Sequence, residues 1–138
     1  MNKILLGIVS TPHLSITNIA RHFVQELNLR HETAHKTPLD LHTTFLIWGE
    51  QQKTNASFDG LIISGITTND DADYIRKNGG LILHIEHTNS LFKTGVTHNN
   101  SDLIMAIRNA SEPSKLTLCG FATAIAEHFN KTEIAEAA

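Results

Sequence analysis

Ile4-Leu5-Leu6-Gly7-Ile8-Val9 is a continuous apolar run, and Ser10-Thr11-Pro12-His13-Leu14 breaks it. A run this short, β-branched at its end, reads as a parallel strand buried on both faces. Beyond the break, Ile16, Ile19, Ala20, Phe23, Val24 and Leu27 recur at the spacing of one helix face, with Ser15 placed as the N-cap. Strand, loop and amphipathic helix in that order form the first unit of an α/β domain.

The unit recurs along the chain. Leu61-Ile62-Ile63 is the next buried strand, and Thr67 to Asn69 caps a helix from Asp70 to Lys77. Asp70, Asp71 and Asp73 stand at that helix's positive end and Arg76 and Lys77 at its negative end, which the helix dipole favours at both ends. Asn78-Gly79-Gly80 stops the helix, and Leu81 to Ile85 is a third strand. Asp102 to Ile107 reads as a strand or a short helix. Lys115 to Phe129 is the last helix, with Leu116, Cys119, Phe121, Ala122, Ile125 and Phe129 as its apolar set. Leu29 to Thr37 reads as irregular, Pro38 or Leu39 to Trp48 as a helix, Asn55 to Phe58 as a loop, and Thr88 to Asn100 as a long polar loop. The expected fold is a three-layer α/β domain over 1–130, with a mainly parallel sheet of about four or five short strands, and a frayed tail over 131–138.

With 138 residues there is room for one domain, and 41 % apolar residues supply a core. The 11 Lys+Arg against 14 Asp+Glu give a net charge of -3 and no basic block, so electrostatics do not point to nucleic acid. The single Cys119 excludes a disulfide framework and a Cys-rich zinc module. No apolar run approaches the roughly 20 residues of a membrane helix, and the run in Met1 to Val9 is too short for a signal peptide. A cytoplasmic protein without membrane contact is therefore expected.

Ligands of parallel α/β sheets bind beyond the carboxyl ends of the strands, so the loop after the first strand is the first place to look. A phosphate-binding loop needs glycines, a Lys for the outer phosphates and a Ser or Thr for magnesium. Gly7 to Asn18 has the place and about the length of such a loop, but no Lys, and Pro12 removes one N–H donor.

The order of segments resembles the deoxynucleoside monophosphate kinase family of the P-loop kinases, a family often encoded by phages. Gly7 to Ala20 is similar to that family's first strand, phosphate loop and helix start. Ser10, His13 and Ser15 stand where its glycines belong, Ile16 where its phosphate-binding Lys belongs, and Asn18 where its magnesium-binding hydroxyl belongs. Ile47-Trp48-Gly49-Glu50 resembles the family's Gly-Thr-Glu segment. Leu61 to Arg76 resembles its strand, Asp-x-Arg and helix segment, with Gly65 in place of the Asp and Thr67 in place of the Arg. Asn78 to Ile85 is similar to its Gly-Gly turn and following strand. His87 stands where the family often has Arg, and His98 and Asn109 resemble two later family positions.

The resemblance thus implies a P-loop-kinase-like scaffold whose catalytic positions depart. It implies a degenerate phosphate loop at Ser10, Thr11, His13, Ser15 and Thr17, substrate-side groups at Trp48, Glu50, Thr67 and Arg76, and Glu50 as the carboxylate of an active version. Losing a single electrostatic contact to the transferring group costs roughly 10²- to 10³-fold in rate, and here several are lost together. The expectation is a catalytically degenerate, phage-type protein that binds a protein partner, such as one of the host, or a second copy of itself. No cofactor is expected. The alternative is an atypical deoxynucleoside monophosphate kinase or a nucleotide sensor using ATP and magnesium, with Arg21, Lys53 or Arg76 replacing the missing Lys.

Other constellations carry less. His31 and His35 share a face only in a helix, and His84 and His87 point to opposite faces of a strand, so no metal ligands are assigned among the nine His. His13 offers an anion contact when protonated. Ser10, Thr11 and Ser15 lack the Gly-x-Ser-x-Gly elbow of a serine nucleophile. Cys119, on the apolar face of the last helix, is expected to be buried and inert.

Overall fold

The run that opens the chain is strand β1 (Ile4–Ser10), and it sits in the middle of a sheet rather than at its edge. The computed structural model describes residues 4–10, 16–33, 58–87, 95–107 and 113–137, with side chains as far as 130. Around β1 stand β2 (Leu29–Thr33), β3 (Gly60–Ser64), β4 (Leu81–His87) and β5 (Leu103–Ile107), in the five-stranded order β2-β3-β1-β4-β5. All the pairings are parallel, with Leu6 beside both Ile62 and Leu81 and Val9 beside His84. The helices are α1 (Thr17–Leu27), α2 (Asn69–Lys77) and α3 (Lys115–Ala137). No helix among the described residues is long and apolar enough to cross a membrane.

The period of two along each strand divides the core into two layers. Leu6, Ile8, Ile62, Leu83 and Ile85 pack on one face against Ile19, Ala20 and Phe23 of α1 and Leu118, Ala122, Ile125 and Phe129 of α3. Val9, Leu61, Ile63 and Ile82 pack on the other against Ala72 and Ile75 of α2, joined by Ile66 and Val96. Helices on both faces of a parallel sheet make the expected three-layer α/β architecture, and the middle stretches of the central strands are buried because both of their faces are covered.

Local signals account for several boundaries. Thr68 caps α2, its hydroxyl accepting from the Asp71 N–H at 3.2 Å. Asn78 ends that helix, and Gly79, at φ 84°, turns the chain so that the Gly80 N–H reaches Ile75 O at 2.9 Å. Gly60 opens β3 where a Cβ would collide with the Ile4 carbonyl of the neighbouring strand.

Other boundaries differ from the sequence reading. Leu29–Thr33 is a strand, not irregular chain; it lies at the sheet's edge, where only Leu29 is fully buried, so no apolar pattern marks it. The ambiguous segment before Arg108 is a strand, Leu103–Ile107. The N-cap position of α1 is Ile16, with no side-chain cap, and Ser15 lies outside the described residues. The last helix continues to Ala137, past the Phe129 expected as its end. Its inward face is carried by Leu118 rather than Leu116, which is 84 % exposed, and Cys119 is half-buried rather than buried. The helix expected at 38–48 lies outside the described residues.

Candidate functional site

The polar chemistry of the described residues gathers on the α2 side of β4. His84 and Glu86 share the face of Ile82, because alternate residues of a strand point the same way. His84 is fully buried in a stretch that is otherwise apolar. A parallel sheet requires the chain to return from the end of β4 to the start of β5, and residues 95–102 make the last part of that return across this face. Val96 is anchored in the α2-side core, and the Thr97 N–H donates to Asn69 Oδ1 at 2.8 Å. These contacts bring the His98 ring to 4.3 Å from that of His84, edge-on at 61°.

The return ends at Asp102, whose side chain is 1 % exposed. Its Oδ2 accepts from Arg76 Nη2 at 2.6 Å, His84 Nε2 at 2.7 Å and the Asn99 N–H at 2.9 Å, and its Oδ1 accepts from Arg76 Nε at 3.3 Å. Arg76 also donates to Asp73 at 2.8 Å and to Thr97 O at 3.3 Å. Burial by itself pushes the Asp102 carboxyl up. The hydrogen bonds from Arg76, His84 and Asn99, with the Arg76 charge, outweigh burial and hold it below the usual carboxylate value. Burial likewise works against the Arg76 cation, and the two carboxylates reverse that and raise it.

The network settles the imidazole's tautomer. An ionised carboxylate only accepts, so His84 Nε2 carries the hydrogen, and the lone pair of the neutral ring is on Nδ1. Nδ1 is buried and has no hydrogen-bond partner. Glu86 Oε1 is also buried. It lies 2.6 Å from His98 Nε2, but the groups are not aligned as donor and acceptor, so that oxygen makes no hydrogen bond. One ligand atom from each of His84, Glu86 and His98, a ring nitrogen or a carboxylate oxygen, lies within 4.8 Å of the others. Glu86 and His98, at 30 % and 43 % exposure, leave the cluster open to solvent on one side.

The residues singled out from the sequence are dispersed differently. Ser10 ends β1 half-buried, Thr17 is exposed on the first turn of α1, and Thr67 is exposed ahead of α2. Ile16 packs against the main core. Arg76 is not free to meet a substrate anion, because two carboxylates hold it. Arg21 is exposed and donates to Asn18 at 3.5 Å. Thr11, His13, Ser15, Trp48, Glu50 and Lys53 lie outside the described residues. The sequence reading missed His84, Glu86, His98 and Asp102 as a group. One signal was present: His84-x-Glu86, two polar residues at strand spacing inside an apolar run. A cleft of about 210 Å³ beside Ile4, Asn28, Asp59 and Phe129 lies at the opposite, amino end of β1 and β3, away from this chemistry.

No family model and no curated protein matches the chain. Among solved structures it is similar to an unliganded sugar kinase from Janibacter sp. HTCC2649, with a TM-score of 0.57 and 11 % identity over 91 % of this chain and 95 % of that one. At that identity the likeness shows the fold alone, which is kinase-like.

Proposed function

We propose that this chain is a non-catalytic binding protein on a kinase-like α/β scaffold, a degenerate relative of the deoxynucleoside monophosphate kinases that acts on a protein partner. One observation carries the reading. Ile16, at the entry to α1 where a phosphate-binding kinase carries its Lys, seats its side chain on the main core and offers nothing to an anion. Phosphoryl transfer depends on positioning and on charge stabilisation, and a core isoleucine supplies neither. Among the described residues, the candidate cations do not compensate. Arg76 is held by Asp73 and Asp102, and Arg21 is an exposed residue facing its own helix neighbour Asn18. After β3, the positions where a kinase of the resembled family has Asp and Arg are Gly65 and Thr67.

The test is calorimetric titration of the folded chain with Mg-ATP, then with each deoxynucleoside monophosphate and with simple hexoses, followed by an ADP-release assay. No heat and no ADP release are expected, and immobilised chain should retain a stoichiometric protein partner from its native extract. Binding near micromolar, about -8 kcal/mol, with turnover would replace this reading by the phosphotransferase one.

A further inference from the structure

We propose that His84 Nδ1, Glu86 and His98 Nε2 form a three-ligand site for a divalent transition ion of the zinc class, with Asp102 as the outer partner of His84. This goes beyond the binding role above and does not depend on it.

The donor set selects the ion. Two neutral imidazoles and one carboxylate suit zinc and its neighbours in the first transition row, whereas magnesium and calcium prefer oxygen donors throughout. Two His and one Glu, with a side open to water, is the arrangement of zinc sites that keep a fourth position for water or another ligand. The outer partner is also in place. A metal-bound His characteristically donates its other ring N–H to a carboxylate, which fixes the tautomer and makes the ligating nitrogen more basic. His84 does this to Asp102 at 2.7 Å, and Arg76 and the Asn99 N–H fix Asp102 in turn. The second, independent sign is the buried lone pair. His84 is 0 % exposed and its Nδ1 has no hydrogen-bond partner, and Glu86 Oε1 makes no hydrogen bond although it lies 2.6 Å from His98 Nε2. Leaving such atoms unsatisfied costs stability, and a cation held between them satisfies both.

The geometry needs little change. Tetrahedral donors about 2.1 Å from zinc stand about 3.4 Å apart, so the 2.6 Å contact between His98 and Glu86 opens by about 0.8 Å while the widest pair draws in from 4.8 Å or less. The moving groups are the two partly exposed side chains, whereas His84 stays where the sheet and Asp102 hold it.

The experiment uses the full chain without a histidine tag, stripped with chelator, titrated with zinc by calorimetry and with cobalt(II) by visible absorption. One equivalent of each is expected to bind, with a cobalt spectrum of a four-coordinate site and a metal-dependent rise in Tm. His98→Ala and Glu86→Gln change partly exposed residues and leave the fold intact. Each should weaken zinc by at least the 10- to 100-fold typical of losing even an outer-shell partner. Asp102→Asn should weaken it 10- to 100-fold and shift the cobalt spectrum, which a purely structural role would not do. His31→Ala, on β2 at the far edge of the sheet, should leave affinity and spectrum unchanged. A wild-type chain that binds no zinc overturns the proposal. So does equal weakening by His98→Ala and His31→Ala, which is the mark of adventitious surface histidines.

Discussion

His84 Nε2 stands 2.7 Å from Asp102 Oδ2, with the two side chains 0 % and 1 % exposed, so a strand interior and the end of a loop are joined by a bond sealed from water. Asp102 immediately precedes β5, and His84 lies midway along β4. The bond therefore fixes where the returning chain re-enters the sheet, and Arg76 ties the same point to α2.

Removing Asp102 is expected to be costly. Asp102→Ala leaves the Arg76 cation, 15 % exposed, and the buried His84 N–H without their acceptor. Breaking a buried pair from one side costs about 3–5 kcal/mol, far more than an exposed pair is worth. Urea unfolding of Asp102→Ala should show a loss of about 3 kcal/mol; a loss under about 1 kcal/mol contradicts the buried network.

The same carboxylate predicts acid sensitivity. Its folded value is held below the ordinary 3.8, so as pH falls the unfolded chain takes up the proton first. Its contribution to stability is therefore complete above the unfolded value and is lost as pH falls from there through the lower folded value. Measured in chelator, wild-type stability should decline with falling pH below 3.8. The slope should be shallower in Asp102→Asn, and equal slopes would remove Asp102 as the source.

Two glycines should respond oppositely to alanine. At Gly60 the new methyl meets the backbone carbonyl of Ile4, which cannot yield without moving β1. Gly60→Ala should cost about 1–3 kcal/mol, as overpacking does. At Gly120, inside α3, a Cβ meets nothing within 4 Å. Gly120→Ala should raise stability by about 0.5–1 kcal/mol through helix propensity. Thermal unfolding of both variants gives the two signs directly.

The facing of α3 can be read from two leucines. Leu118 is 9 % exposed and belongs to the main core, whereas Leu116 is 84 % exposed. Leu118→Ala should destabilise by about 2–5 kcal/mol. Leu116→Ser should stay within about 0.5 kcal/mol. A reversal of that order in denaturant unfolding would mean that α3 is rotated on the sheet.

The legible parts of the fold share a cause. The runs at Ile4–Val9, Leu61–Ile63 and Leu81–Ile85 are strands because each is short, apolar and covered on both faces. The start and stop of α2 follow from Thr68 and from Asn78-Gly79, all within one turn of the helix ends. β2 escaped notice because, at an edge, Leu29 alone is fully buried and its partner β3 begins some thirty residues later in the chain. Periodicity does not separate Leu116 from Leu118, because it defines a stripe on a helix but not which neighbour the stripe meets.

By itself, the sequence determined an α/β class, the central buried strands, the ends of α2 and the absence of a Lys from the loop after β1. These follow from period, capping and residue identity, which act over a few positions. The strand order, the facing of α3 and the cluster of Arg76, His84, Glu86, His98 and Asp102 were decided only in the tertiary structure. Arg76 and Asp102 are 26 positions apart, and His84 and Asp102 are 18 apart. Their meeting depends on β5 pairing parallel to β4, which forces the chain back across the sheet and sets His98 over His84. No local pattern encodes that return, because its stabilising contacts exist only once the sheet has formed.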